Sequence, residues 1–174
     1  VGDQTPNVVI DIASTDSRIK AVTNIKKGMM GWDMKTGLKL ASGKTIAVID
    51  GDGQMPHEDI VRVYQLMRDQ SLDFAKTYRA TRHDGAYREL VSTIYNGCFR
   101  LLFPGIDGKD MNSKPKIMTR EFYERLDLKS DGWFIDAEIM ILVRRYNIMS
   151  GEIPTVFSRI ESRASFVKPY AILE

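Results

Sequence analysis

Apolar residues follow two spacings along this chain, and segments of the two kinds alternate. Val8-Val-Ile10 is a short β-branched run that predicts a strand ending at Asp11. Ser14-Thr-Asp16 supplies oxygen side chains suited to start a helix. Met30, Met34, Leu38 and Ala41 share one face of a helix expected over 30–41, with Gly43 as its stop. Lys44-Thr-Ile-Ala-Val-Ile49 then reads as a buried strand that closes at Asp50. Pro56 stands near the start of the next helix, where Ile60, Val63, Tyr64 and Met67 align. Leu72-Asp-Phe-Ala-Lys-Thr-Tyr78 returns to strand.

The longest helix is expected over 86–103. Tyr87, Leu90, Val91, Ile94, Tyr95, Cys98, Leu101 and Leu102 repeat there at helical spacing, and Pro104-Gly105 ends the run. Residues 105–114 read as a loop, 116–118 as a short strand and 119–126 as a short helix. Trp133-Phe134 leads into a helix carrying Ile135, Ile139, Leu142, Val143 and Tyr146. Residues 152–157 form a late strand, and Pro154 places it at an edge, because proline cannot donate to a ladder. Strands alternating with helices predict an α/β domain with a largely parallel sheet. Ligands of such sheets gather at the carboxyl ends of strands, where this reading puts Asp11 and Asp50.

Composition changes the picture little. A hydrophobic share of 43% and a charged share of 28% fit an ordinary globular domain. At 174 residues the chain can bury one real core, and no linker divides it, so one domain is expected over 1–174. The net charge of +2 is too small to argue for nucleic acid. It is uneven, however: residues 76–125 carry 10 basic and 6 acidic side chains, which suits an anionic partner. The single Cys98 excludes an internal disulfide, and its helical position predicts a buried small hydrophobe. His57 and His83 lack ligand spacing. No signal peptide and no apolar stretch of 18 residues is present, so a cytoplasmic protein is expected.

The chemistry concentrates in Asp50-Gly-Asp-Gly-Gln54. Two carboxylates and an amide emerge where a strand stops, and the glycines let the backbone turn. Such an all-oxygen cluster suits Mg²⁺ or Mn²⁺ rather than zinc, and an ion so held commonly bridges to phosphates. The plain alternative is a solvated Asp-Gly turn.

Five blocks in order then resemble family 2 glycosyltransferases, which have the GT-A nucleotide-sugar fold. They are Val9-Ile-Asp-Ile-Ala-Ser-Thr-Asp16, Gly37-Leu-Lys-Leu-Ala-Ser-Gly43, Ile49-Asp-Gly-Asp-Gly-Gln-Met-Pro56, Trp133-Phe-Ile-Asp-Ala-Glu138 and Glu152-Ile-Pro-Thr-Val-Phe157. Within the family the chain is most similar to dolichyl-phosphate (polyprenyl-phosphate) mannosyltransferases and their bacterial relatives. That resemblance implies a metal at Asp50, Asp52 and Gln54, and nucleotide contacts from Asp11 and Asp50. It also implies an acceptor-phosphate clamp from Arg88 and Ser92, one helical turn apart, with Arg79 and Arg82 just before them. Asp110, Asn112, Lys114 and Lys116 fall where the family places donor and acceptor contacts, and Arg159 and Arg163 resemble its late basic block. Asp136 and Glu138 occupy the region where a general base stands in members that glycosylate a hydroxyl. A phosphate acceptor needs no strong base, so these two assignments compete.

The implied reaction is inverting hexosyl transfer from a GDP- or UDP-sugar to a polyprenyl phosphate, with peripheral membrane association. Transfer to a saccharide hydroxyl and a non-catalytic nucleotide-sugar or anionic-lipid binding module are the alternatives. The family's opening strand has no counterpart before Val8. A partial GT-A-like domain is therefore expected, with an exposed sheet edge and unburied apolar surface.

Overall fold

The computed structural model describes residues 4–22, 25–81, 93–94, 97–99, 101–106 and 108–158. Its elements run α1 (Thr5–Thr15), α2 (Met30–Leu38), β1 (Thr45–Val48), α3 (Glu58–Asp69), β2 (Phe74–Thr81), β3 (Lys116–Thr119), α4 (Arg120–Arg125), α5 (Ile135–Arg145) and β4 (Ser150–Val156). The strands form one sheet in the order β1-β3-β2-β4. β3 is antiparallel to both neighbours, and β2 pairs β4 in parallel. Three strands thus share one direction, as the α/β alternation predicts, and the inserted β3 makes the sheet mixed. β4, with its Pro154, is an edge strand as expected; β1 is the other edge.

Strand alternation builds two cores. Ile46, Phe74 and Met118 face α2, α4 and α5, meeting Met34, Leu38, Phe122, Ile135, Ile139 and Val143. Phe74 and Phe122 stack edge-on, with ring centroids 6.1 Å apart. On the opposite face Ala75 and Ile117 pack against Val63 and Met67 of α3. α2 and α3 each bury one stripe and leave the other side to solvent, while α5 is buried over most of its length. α3 has Glu58 and Asp59 in its first turn and Arg68 in its last, matching the helix dipole. Its buried Asp59 accepts from the Thr155 hydroxyl, which fastens α3 to β4. Thr119 ends β3 and caps α4, its Oγ1 accepting from Phe122 N at 3.2 Å.

Three expectations are corrected. Val8-Val-Ile10 lies inside α1, a helix with no buried residue, rather than in a strand. A β-branched run is a good strand only where a sheet accepts it. No strand among the described residues pairs with this segment, and Pro6 opens a helix in its first turn. Cys98 is exposed rather than buried. The described residues of the expected 86–103 helix, 93–94, 97–99 and 101–102, are helical, but Phe99 is the side chain that enters the core. Ile94, Leu101 and Leu102 point to solvent, so the inward stripe is rotated from the one the spacing marks. The rest of that segment lies outside the described residues. Among the described strands β1 is one edge of the sheet, and Val8 and Ile12 of α1 are about half exposed (51% and 47%).

Candidate functional site

The carboxyl ends of β1, β2 and β4 lie along one side of the sheet with the start of β3. Val48 and Lys76 both stand opposite Lys116. Asp50 stands just past β1, beyond Ile49. The chain then turns through Gly53 at φ 70°, a left-handed conformation that favours glycine. Asp52 Oδ1 accepts from Gln54 N at 3.1 Å. Gln54 in turn exchanges two bonds with Ser158: its Nε2 donates to the Ser158 carbonyl at 3.1 Å, and Ser158 N donates to the Gln54 carbonyl at 2.9 Å. The loop carrying the three oxygen-bearing side chains is thus tied to the segment that follows β4.

Beside this loop lies a buried ionic ladder. Lys114 Nζ is 3.1 Å from Asp50 Oδ1 and 3.3 Å from Oδ2, and 2.8 Å from Asp136 Oδ2. It also lies 3.8 Å from Met30 Sδ. Lys116 Nζ reaches Asp136 Oδ1 at 2.5 Å and the Met111 carbonyl at 2.9 Å. Lys76 donates to the carbonyls of Thr77 and Asp110 at 3.0 and 2.7 Å and pairs with Glu152 at 3.0 Å. Arg79 forks onto both oxygens of Asp110 at 2.5 and 2.9 Å, with the Phe157 ring 5.3 Å from its guanidinium carbon. The Lys114–Pro115 peptide is cis. Among the described residues no buried side-chain nitrogen or oxygen lacks a partner, which is the condition under which buried charge is tolerated.

The ladder sets the charges. Burial pushes the Lys116 ammonium down to about 8, with Asp136 opposing and Lys114 assisting. Burial also opposes the charge on Lys114, but the carboxylates of Asp136 and Asp50 outweigh it and its pKa is raised. Burial would raise Asp136, yet the ammoniums of Lys116 and Lys114 hold it below the ordinary carboxylate range. Burial lowers Lys76, against the attraction of Glu152.

The sequence-predicted residues divide accordingly. Asp50, Asp52 and Gln54 lie on one loop just past β1. Asp11 does not stand at a strand end; it lies on the exposed α1. Asp136 is fully buried between two lysines and presents no carboxylate to an acceptor. Glu138 accepts from the backbone N–H of Lys129 at 2.7 Å and of Ser130 at 3.0 Å, so it holds the loop before α5. Neither is placed as a general base in this arrangement. Arg82, Arg88, Ser92, Arg159 and Arg163 lie outside the described residues. Sequence reasoning missed Lys76 and Glu152. The signal for Lys76 was its place on the same strand face as Phe74.

Among the described residues no three His, Cys, Asp or Glu side chains assemble as a metal cage. Two carboxylates do suffice for Mg²⁺ when phosphate oxygens and water complete the shell. A cleft of about 470 Å³ opens between α2 and the free edge of β1, lined by Met30, Met34, Leu38, Ile46 and Val48, and it reaches Asp50.

The family model described as glycosyl transferase family 2 matches residues 2–148. Glycosyltransferase AglD of Haloferax volcanii is 26% identical over 158 residues, covering 87% of this chain. The chain spans about a quarter of that relative's length, 25%.

Proposed function

This chain belongs to glycosyl transferase family 2, and on that footing we propose that it moves a hexose from a GDP- or UDP-sugar to a polyprenyl phosphate at a membrane surface. The observation that carries the reading is the Asp50-Gly-Asp-Gly-Gln54 loop at the carboxyl end of β1, beside the basic side chains of the ladder. Its donor set is all oxygen, and the Asp50 side chain is 35% exposed, so the loop fits Mg²⁺ or Mn²⁺. Asp50 and Asp52 would hold the ion, with the Gln54 side chain beside them. When bound, it offsets the negative charge that develops on the departing nucleotide diphosphate.

The remaining work falls to the chain's own groups. Lys114 and Arg79, held in ion pairs with Asp136 and Asp110, would be the basic groups beside an arriving diphosphate. Arg82, Arg88 and Ser92 would receive the acceptor phosphate. Acceptance by a phosphate is favoured over a saccharide hydroxyl for one reason. A hydroxyl needs a base, and the carboxylates of Asp136 and Glu138 are committed to lysines and backbone N–H groups. Peripheral contact through the acceptor is the form of membrane association proposed; among the described residues no helix is long and apolar enough to cross a membrane.

Calorimetry of GDP and UDP binding, with Mg²⁺ and with EDTA, tests the donor side. Affinity is expected to fall sharply in EDTA and in Asp52→Asn. Equal affinity in all three conditions removes the metal assignment. For the acceptor, Arg88→Ala is expected to raise the KM by about tenfold or more, as a lost charge-assisted contact would. Donor affinity should not change. A fall in donor affinity with an unmoved acceptor KM would exclude the polyprenyl phosphate.

A further inference from the structure

We propose that Lys114 is a resident counter-cation that weakens and sets the affinity of the Asp50–Asp52 loop for a divalent ion. The inference rests on the metal reading above and adds a residue that opposes it. Asp50 and Asp52 offer two negative charges. The Lys114 ammonium lies within 3.3 Å of both Asp50 oxygens, so one of those charges is already met.

The lysine is not a loose surface partner. Its side chain is 2% exposed, and its ammonium is held from behind by Asp136 at 2.8 Å. Asp136 is itself fixed by Lys116. An exposed pair would simply swing away from an arriving ion. Here withdrawal from Asp50 leaves the ammonium where Asp136 holds it, close to the loop. A divalent ion on Asp50 therefore meets a fixed positive charge at short range, in surroundings where Coulomb interactions are screened far less than in water. The same charge faces any diphosphate that arrives with the ion, so the lysine opposes free metal and favours metal accompanied by nucleotide. The loop would thus stay poorly loaded until the donor comes, which couples metal to substrate binding.

The test is Mn²⁺ titration followed by electron paramagnetic resonance, on the wild type, Lys114→Met, Lys114→Gln, Lys114→Arg and Asp52→Asn, each with a thermal melt. In Lys114→Met the Kd for free Mn²⁺ is expected to fall at least about tenfold, because a neighbouring charge has been removed. Lys114→Gln keeps a donor toward Asp136 and should tighten similarly; it carries the test if the methionine variant does not fold. Lys114→Arg should stay near the wild type. Adding GDP or UDP should improve Mn²⁺ affinity more in the wild type than in the neutral variants. If the wild type binds Mn²⁺, Asp52→Asn loses it, and the neutral variants bind no tighter, Lys114 has no such role and the metal loop stands. If no variant binds Mn²⁺ with or without nucleotide, the metal reading falls and this inference falls with it.

Discussion

Asp136 sits where two ammonium groups converge, with no solvent to share the load. Removing the charge while keeping the shape isolates that arrangement. Asp136→Asn leaves Lys114 and Lys116 buried against an amide, so unfolding in urea should show a loss of about 3–5 kcal/mol, the range for breaking a buried pair from one side. A loss under about 1 kcal/mol would show that the lysines find other partners. The pH dependence follows from the direction of each shift. Asp136 is held below its unfolded value of about 3.9. Its contribution is complete above that value and drains away as pH falls through the folded pKa, because the unfolded chain takes up the proton first. Acid unfolding of the wild type should therefore steepen below about pH 4, and Asp136→Asn should lack that part of the fall. Lys116 acts in the other direction. Its folded pKa of about 8 lies below the unfolded value, so the folded state sheds a proton that the unfolded chain retains. Over the window from about 8 to about 10.4 this group alone makes stability rise with pH, and urea midpoints of Lys116→Met should lose that rise.

At the scale of elements, the start of α2 shows how closely a helix can meet a loop. Its first N–H groups have no partners within the helix. They donate instead to the loop before α5: Met29 N to the Asp131 carbonyl at 2.8 Å and Gly31 N to the Gly132 carbonyl at 2.9 Å. A Cβ on Gly31 would stand 2.5 Å from the Ser130 carbonyl oxygen and 2.9 Å from the Asp131 carbonyl carbon. Backbone cannot yield as a side-chain tip can. Gly31→Ala is expected to cost about 1–3 kcal/mol, as overpacking does, despite alanine's better helix propensity. A thermal melt reads it; an unchanged or raised Tm would mean that the loop moves aside freely.

Most elements were legible because their signals are local. α2, α3 and α5 show helical spacing, and Gly43, Pro56 and Pro154 mark boundaries or an edge. The Asp-Gly-Asp-Gly loop was legible as a strand end for the same reason. α1 was not, because strand or helix there depends on whether a neighbouring strand accepts the segment, which no local pattern states. The ladder was not legible either. Lys76 and Lys116 become neighbours only through the register of an antiparallel pair. Asp136 looked like a helix-start carboxylate free to act, and its two lysines come from 20 and 22 residues away.

For the whole molecule, the contacts that close the structure join distant parts of the chain. Thr155 donates to Asp59 across 96 residues, beneath the β2–β4 pairing. Thr155→Val keeps the shape and takes away the hydroxyl, leaving the buried carboxylate one donor short. A loss of about 1–3 kcal/mol is expected, read by urea unfolding. Such contacts form late if most of the chain must be collected first. A wild-type unfolding midpoint in Thr155→Val would mean that Arg62, 2.5 Å from Asp59, satisfies the carboxylate by itself.

The tie between Gln54 and Ser158 also has a meaning in time. The two residues are 104 positions apart. During synthesis the Asp50–Gln54 loop is finished early, yet the segment that grips it emerges only after β4 has been made. At synthesis rates of about 5–20 residues per second, the nascent chain carries an acidic, unanchored loop for several seconds before its last fastening arrives. The last fastening of this loop thus waits for β4 and Ser158 to emerge, and a ribosome stalled before β4 would display the motif without the grip.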